Sequence, residues 1–159
     1  MDRKQFTSLV AGEQEALRRY LLALCVGNRH EADDIAQEAL VKAYLSLESY
    51  HDTGRFTAWL YRIAHNTFLD YRRNGRSLYP LERGAAVTDS SFDADSAFRY
   101  QALYEALDSL PPKERSALLL YYIKGYNVRE ISKIVECSEE AVKKQMSRGR
   151  EQLRKMLCE

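Results

Sequence analysis

Glycine and proline are scarce, seven and three in 159 residues. With so few breakers, apolar residues recur at helical spacing along most of the chain, and it reads as almost all helix. Cysteine is equally sparse. Cys25, Cys137 and Cys158 form no CxxC pair, so neither a zinc site nor a disulfide framework is expected, and the thiols read as those of a reducing cytoplasm. The longest apolar run, "ALLLYYI" at 117–123, is far too short for a bilayer, and "MDRKQF" leads into no signal peptide. No membrane insertion is therefore expected. A Gly-rich phosphate loop, GxSxG and HExxH are all missing, and His30, His51 and His65 lie in unrelated settings, each read as a surface or capping residue. The expectation is a protein that is no enzyme and has no catalytic residue, metal or cofactor.

An excess of one charge is also lacking: 24 Lys and Arg face 23 Asp and Glu, for a net charge of +1. The distribution says more than the total. Residues 1–53 carry −3, 54–83 carry +4, 84–110 carry −4 and 111–159 carry +4. Surfaces of opposite sign are hidden in a near-neutral sum.

Periodicity divides the chain. A first helix is expected at 4–26. A second, at 29–48, opens with Asn28 and Glu31 as a capping box, and a third follows at 55–74. Residues 75–97 have no usable period and are rich in Gly, Ala, Ser and Asp, which suggests a flexible acidic linker. Beyond it come a helix at 97–109, one opened by "LPPKER" and closed at Gly125, then "VREISKIV" and "SEEAVKKQMSRGREQLRKML" separated by "ECS". Helix, tight turn and helix form a helix-turn-helix, sealed by Ile131, Ile134, Val135, Val142 and Met146. The expected fold is all-α: two small helical domains, at 1–75 and 98–159, joined by residues 76–97.

Three surfaces stand out. On the second helix Ile35, Ala36, Ala39, Leu40, Ala43 and Leu47 supply the core side, while Asp34, Gln37 and Glu38 cluster elsewhere. Stacking Asp34 and Glu38 costs roughly 0.2–0.5 kcal/mol in a helix, a patch better suited to a basic protein partner than to solvent. The third helix has an apolar stripe of Phe56, Leu60, Ile63, Ala64, Thr67 and Tyr71, with Phe68 alongside. A second stripe consists of Arg55, Trp59, Arg62, Asn66, Leu69 and Arg73. Guanidiniums track phosphates, an indole stacks on an unpaired base for about 1–3 kcal/mol, and an amide pairs with an exposed base edge. That combination fits opening nucleic acid better than intact duplex. Trp59 equally reads as an edge of the core. In the last helix Ser138 caps the start, Val142, Met146, Gly149 and Leu153 face inward, and Glu140, Lys143, Lys144, Ser147 and Arg148 face outward, as for a helix lying in a major groove.

The segments "ADDIAQEALVKAY", "FTAWLYRIAHNTFLDYRR" and "LPPKERSALLLYYIKGYNVREISKIVECSEEAVKKQMSRGREQLRKML", in this order, resemble bacterial RNA polymerase sigma factors of the extracytoplasmic-function (ECF) branch. The resemblance implies a promoter-specificity subunit that joins core RNA polymerase in the cytoplasm, directs initiation at dedicated promoters and is held in check by an anti-sigma factor. It assigns 1–75 to a region 2-like domain that binds polymerase and opens the minus-ten element, and 98–159 to a region 4-like domain that reads the minus-thirty-five element. Asp34, Gln37 and Glu38 match the polymerase-binding "DxxQE". Tyr50, Thr53, Gly54, Arg55, Phe56, Trp59, Arg62, Asn66 and Arg73 fall in the minus-ten segment. Ser138, Glu140, Lys143, Lys144, Ser147 and Arg148 fall on the duplex-reading helix. The chain departs from the pattern at Arg62 and Ile63, where housekeeping relatives carry adjacent tryptophans, and at Glu136, where many relatives carry glycine. A positive φ there penalises glutamate by roughly 1 kcal/mol. "EAVKKQ" at 140–145 replaces the usual "GTVKSR", so an upstream sequence preference does not transfer. The acidic stretch 84–98 resembles a short nucleic acid in charge and suggests mimicry inside the polymerase. The rival readings are a self-sufficient operator-binding regulator, which has no need of the Asp34–Gln37–Glu38 patch, and an RNA-processing enzyme, for which no base or metal cluster is present.

Overall fold

The computed structural model describes residues 1–50, 55–74 and 94–158, with the side chains of 94–100 left aside. Seven helices and one short 3-10 turn make up these residues, with no strand among them. Thr53, Gly54, His51 and most of the acidic linker lie outside the described residues.

Helix α1 (Arg3–Leu24) opens with a capping box: the Asp2 carboxylate accepts from the Gln5 N–H (2.8 Å), and the Gln5 side chain accepts from the Asp2 N–H (3.1 Å). It ends two residues earlier than its apolar pattern, because Val26 and Gly27 turn to positive φ. Helix α2 (Arg29–Leu45) is capped by Asn28, whose side chain accepts from the Glu31 N–H at 3.1 Å. The Glu31 carboxylate, only 2% exposed, reaches Arg72 at 2.7 Å. The residues expected to finish α2 instead form the 3-10 turn Leu47–Ser49. Helix α3 (Phe56–Arg73) packs its apolar stripe on α1 and α2: Phe56, Leu60, Ala64, Thr67, Phe68 and Tyr71 are buried and Ile63 is half-buried.

The second unit begins with α4 (Ala94–Asp108), whose start lies a few residues inside the stretch read as linker. Helix α5 (Pro112–Lys124) follows, with proline at its first position and Gly125 at φ 70 as its left-handed stop. Helix α6 (Val128–Val135) has a second capping box, Asn127 with Glu130. Helix α7 (Glu139–Leu157) packs closely on α5 at Gly149, where an added Cβ would lie 2.6 Å from a Leu118 methyl. The five residues expected to seal the helix-turn-helix are all buried.

The two units are packed together. Helix α1 lies against α5, and α3 against α6. Tyr20 of α1 shares a 2.7 Å hydrogen bond with Ser116 of α5, whose hydroxyl also meets His65 Nδ1 of α3 at 2.9 Å. Lys124 Nζ donates to both carboxylate oxygens of Glu13 at 2.8 Å. His65, expected at the surface, is 1% exposed at this junction. The correction has a simple cause: a neighbouring helix supplies a hydroxyl partner, so a polar ring is buried where its own helix shows no apolar signal.

Candidate nucleic-acid interface

On α2, Asp34 and Gln37 are exposed and Glu38 is partly so. The Asp34 carboxylate is held by His30 Nε2 at 3.6 Å and by the Tyr71 hydroxyl, which donates across from α3 at 3.4 Å. Lys42 lies 3.9 Å from both Glu38 and Asp70. The acidic face thus stands on α2 with one side fixed by α3, and it continues along the helix into exposed Val41 and Leu45.

The residues that the sequence resemblance assigns to the minus-ten segment separate into two layers. Phe56 and Tyr50 are buried. Their rings meet edge to face at 5.8 Å, and Phe56 also meets Phe6 at 5.9 Å. They form an aromatic base rather than an open surface. Burying ring area at the start of α3 outweighs exposing it, and a one-dimensional stripe cannot tell the two apart. Trp59 lies on this base, half-exposed, with its ring centroid 5.0 Å from Tyr50 and 5.7 Å from Phe56. Arg55, Arg62 and Arg73 are exposed and Asn66 is half-buried. Arg73 pairs with Asp70 one turn back.

A cleft of about 400 Å³ opens beside Trp59. Tyr50, Arg55 and Arg62 line one side and Tyr126, Lys133 and Ile134 of the second unit line the other. Aromatic faces and cations converge there, the combination that holds an unpaired base with its phosphate.

In the helix-turn-helix, Ser138 Oγ accepts from the Ala141 N–H at 3.1 Å, so this hydroxyl caps α7. Val142 and Met146 are buried, while Glu140, Lys143, Lys144, Ser147 and Arg148 all face solvent. The turn is held by the Cys137 N–H donating to the Ser132 carbonyl at 3.1 Å, with Glu136 in the left-handed region at φ 57, ψ 45. The glutamate therefore stands where the sequence departure implied strain.

Sigma-70 region 2 matches residues 9–77, and Sigma-70 region 4 matches residues 100–153. ECF RNA polymerase sigma factor SigW of Bacillus subtilis is 33% identical across 99% of this chain and 97% of its own length. The chain belongs to the ECF family of RNA polymerase sigma factors. It is thus a promoter-specificity subunit for transcription initiation. EcfG of Rhodopseudomonas palustris, another ECF sigma factor, is 31% identical over 89% of this chain and 79% of its own. The fold is shared with two solved structures, both 24% identical. One is RpoE in complex with the anti-sigma factor NepR from Bartonella quintana (TM-score 0.76, 97% of each chain). The other is CnrH with the cytosolic domain of CnrY (TM-score 0.74, 98% of this chain and 89% of that one).

The sequence missed the residues that join the two units: Glu13, Tyr20, Arg115, Ser116 and Lys124. Arg115, Ser116 and Lys124 lie within the quoted segment that opens "LPPKERSALLLYYIKG", but no pattern in it marks them as a junction. A polar residue inside the apolar run "SALLLYY" was the available signal at Ser116. Among the described residues, no three or more His, Cys, Asp or Glu side chains are grouped to hold a metal ion, and no helix is long and apolar enough to cross a membrane.

Proposed function

We propose that this sigma factor works without catalysis, in the cytoplasm, by presenting three surfaces in sequence. Asp34, Gln37 and Glu38 on α2 bind core polymerase. Arg55, Trp59, Arg62, Asn66 and Arg73 on α3, with the loop containing Thr53 and Gly54, take the unpaired non-template strand of the minus-ten element. Tyr50 and Phe56 serve as the packed base that holds Trp59 in place. Lys143, Lys144, Ser147, Arg148 and Glu140 on α7, started by Ser138, lie in the major groove of the minus-thirty-five element. Phosphate contacts set the position and a few side chains read sequence. Binding polymerase fixes the spacing of the two reading heads and raises their effective concentration on one promoter. The region 2-like unit comprises residues 1–75 and the region 4-like unit 98–159.

The observation that carries this reading is the juxtaposition on one small unit of an exposed acidic face on α2 and the Trp59 cleft on α3, one suited to protein and the other to single strand. A cognate anti-sigma factor is proposed as the regulator. The support is the fold shared with the sigma factor RpoE, which was solved with the anti-sigma factor NepR.

Copurification with core polymerase tests the reading. Asp34→Arg and Glu38→Arg are expected to abolish it while helical content and melting temperature stay unchanged. Retention of polymerase by both variants, or tight binding of a duplex operator without polymerase, contradicts it.

A further inference from the structure

Arg62 does not face solvent alone. Its Nε and Nη2 donate to one carboxylate oxygen of Glu136, at 2.8 and 2.5 Å, across the boundary between the two units. The two residues are 74 apart in sequence. The cleft beside Trp59 has its far wall built from α6 and the residues leading into it, so the same packing that pairs Arg62 also covers the face of α3 proposed for the unpaired strand.

Glu136 occupies a position that glycine fits without strain. The turn itself does not use the carboxylate: the Glu136 N–H donates to the Ser132 carbonyl, a bond any residue makes. A side chain is held in an unfavourable backbone conformation and its carboxylate is directed at a guanidinium of the other unit. Strain held in this way points to a role for the side chain.

We propose that Glu136 is a built-in phosphate mimic: its carboxylate occupies the Arg62 guanidinium in the free chain, and the second unit thereby competes with single-stranded DNA for the strand-reading face. The proposal rests on the assignment of that face to the non-template strand. Carboxylate and phosphate are both accepted by the planar donor fork of arginine. The pair is half-exposed, 53% and 51% at the side chains, so it is screened by salt and yields to a ligand that brings several phosphates and a stacking base. The other junction contacts, Glu13–Lys124 and Tyr20–Ser116–His65, keep the units together. The Glu136 pair sets what lies over Trp59.

Two variants separate charge from strain. Glu136→Gln keeps the strained backbone and removes the charge, while Glu136→Gly removes both. With the full free chain and a labelled mixed-sequence single-stranded oligonucleotide, both are expected to bind about 3- to 5-fold tighter than the parent, the range a half-exposed ion pair supplies. Acrylamide quenching of Trp59, the chain's only tryptophan, is expected to rise in both. Glu136→Gly is also expected to melt higher than Glu136→Gln, because the turn is relieved. The reversed pair Arg62→Glu with Glu136→Arg is expected to restore the low quenching that each single reversal loses. Higher quenching without tighter strand binding overturns the competition and places the fault in the assignment of the face to DNA. Unchanged quenching and unchanged binding overturn the mimic itself and leave that assignment standing.

Discussion

Ser116 Oγ and His65 Nδ1 lie 2.9 Å apart in the buried junction, joining two helices through residues 51 positions apart in the chain. The Tyr20 hydroxyl approaches the same Ser116 oxygen at 2.7 Å, and His65 Nε2 has no hydrogen-bond partner among the described residues. A ring so placed is neutral. Burial lowers its pKa to about 4, against an upward pull from Glu136 and with a smaller downward push from Lys113.

That shift makes the packing of the two units sensitive to acid. The unfolded chain takes up a proton near the ordinary histidine value of about 6.5, and the packed form resists it. The stabilisation from neutral His65 is therefore complete above that value and declines as pH falls toward 4. The slope is up to about 1.4 kcal/mol per pH unit for one proton. Urea unfolding followed by Trp59 fluorescence at pH 7, 6 and 5 checks this, and His65→Gln is expected to flatten the dependence between pH 6.5 and 5. An equally steep dependence in the variant assigns the titration to another group.

Arg115 is the second point at which the units are tied. Its guanidinium donates to the carbonyls of Leu107 (2.9 Å), Leu110 (3.0 Å) and, across the junction, Leu24 (2.5 Å). The Leu24 and Leu110 carbonyls lie at or just beyond helix ends and lack the usual helical partner, while the Leu107 carbonyl also accepts from the Leu110 N–H at 3.1 Å. Arg115→Met keeps much of the volume and leaves the Leu24 and Leu110 carbonyls without a donor, at about 1–3 kcal/mol for each one left buried and unpaired. A loss of about 2 kcal/mol or more in urea denaturation is expected. A loss below about 1 kcal/mol means water replaces the guanidinium.

Trp59→Ala tests the stacking surface. Removing a base–aromatic contact is expected to cost about 1–3 kcal/mol in promoter opening on duplex DNA. A template already melted at the minus-ten element is expected to lose less. Equal losses on both templates make Trp59 a packing residue of the Tyr50–Phe56 base.

Lys143→Ala with Lys144→Ala addresses α7. Both lysines are exposed on its outer face. If each neutralises one phosphate, the logarithmic salt slope of holoenzyme binding to the minus-thirty-five element falls by about 2, as does affinity at low salt. An unchanged slope removes this face of α7 from the duplex.

The legible parts of this protein were those written in helical period. The acidic face of α2, the outward set on α7 and the sealing residues of the helix-turn-helix follow from spacing alone, since a helix assigns each position to a side. Two capping boxes, Asp2 with Gln5 and Asn127 with Glu130, were also present as short patterns and passed unread. Tyr50 and Phe56 were harder. An aromatic residue next to an apolar stripe suits either core or ligand, and only the position of Phe6 decides that both are packed inward.

The sequence by itself determined seven helices, their amphipathic faces, the stops at Gly27 and Gly125 and membership in a family, because each of these depends on residues a few positions apart. Tertiary structure alone decided that the units close on each other. Tyr61 and His65 form a further buried side of α3, outside both stripes, because α5 and α6 cover it. That side includes a phenol and an imidazole, and its partners include a hydroxyl, a lysine and a glutamate. Polar groups buried in pairs look like solvent-facing residues until the partner is known, and here the partners lie about 50 to 110 positions away.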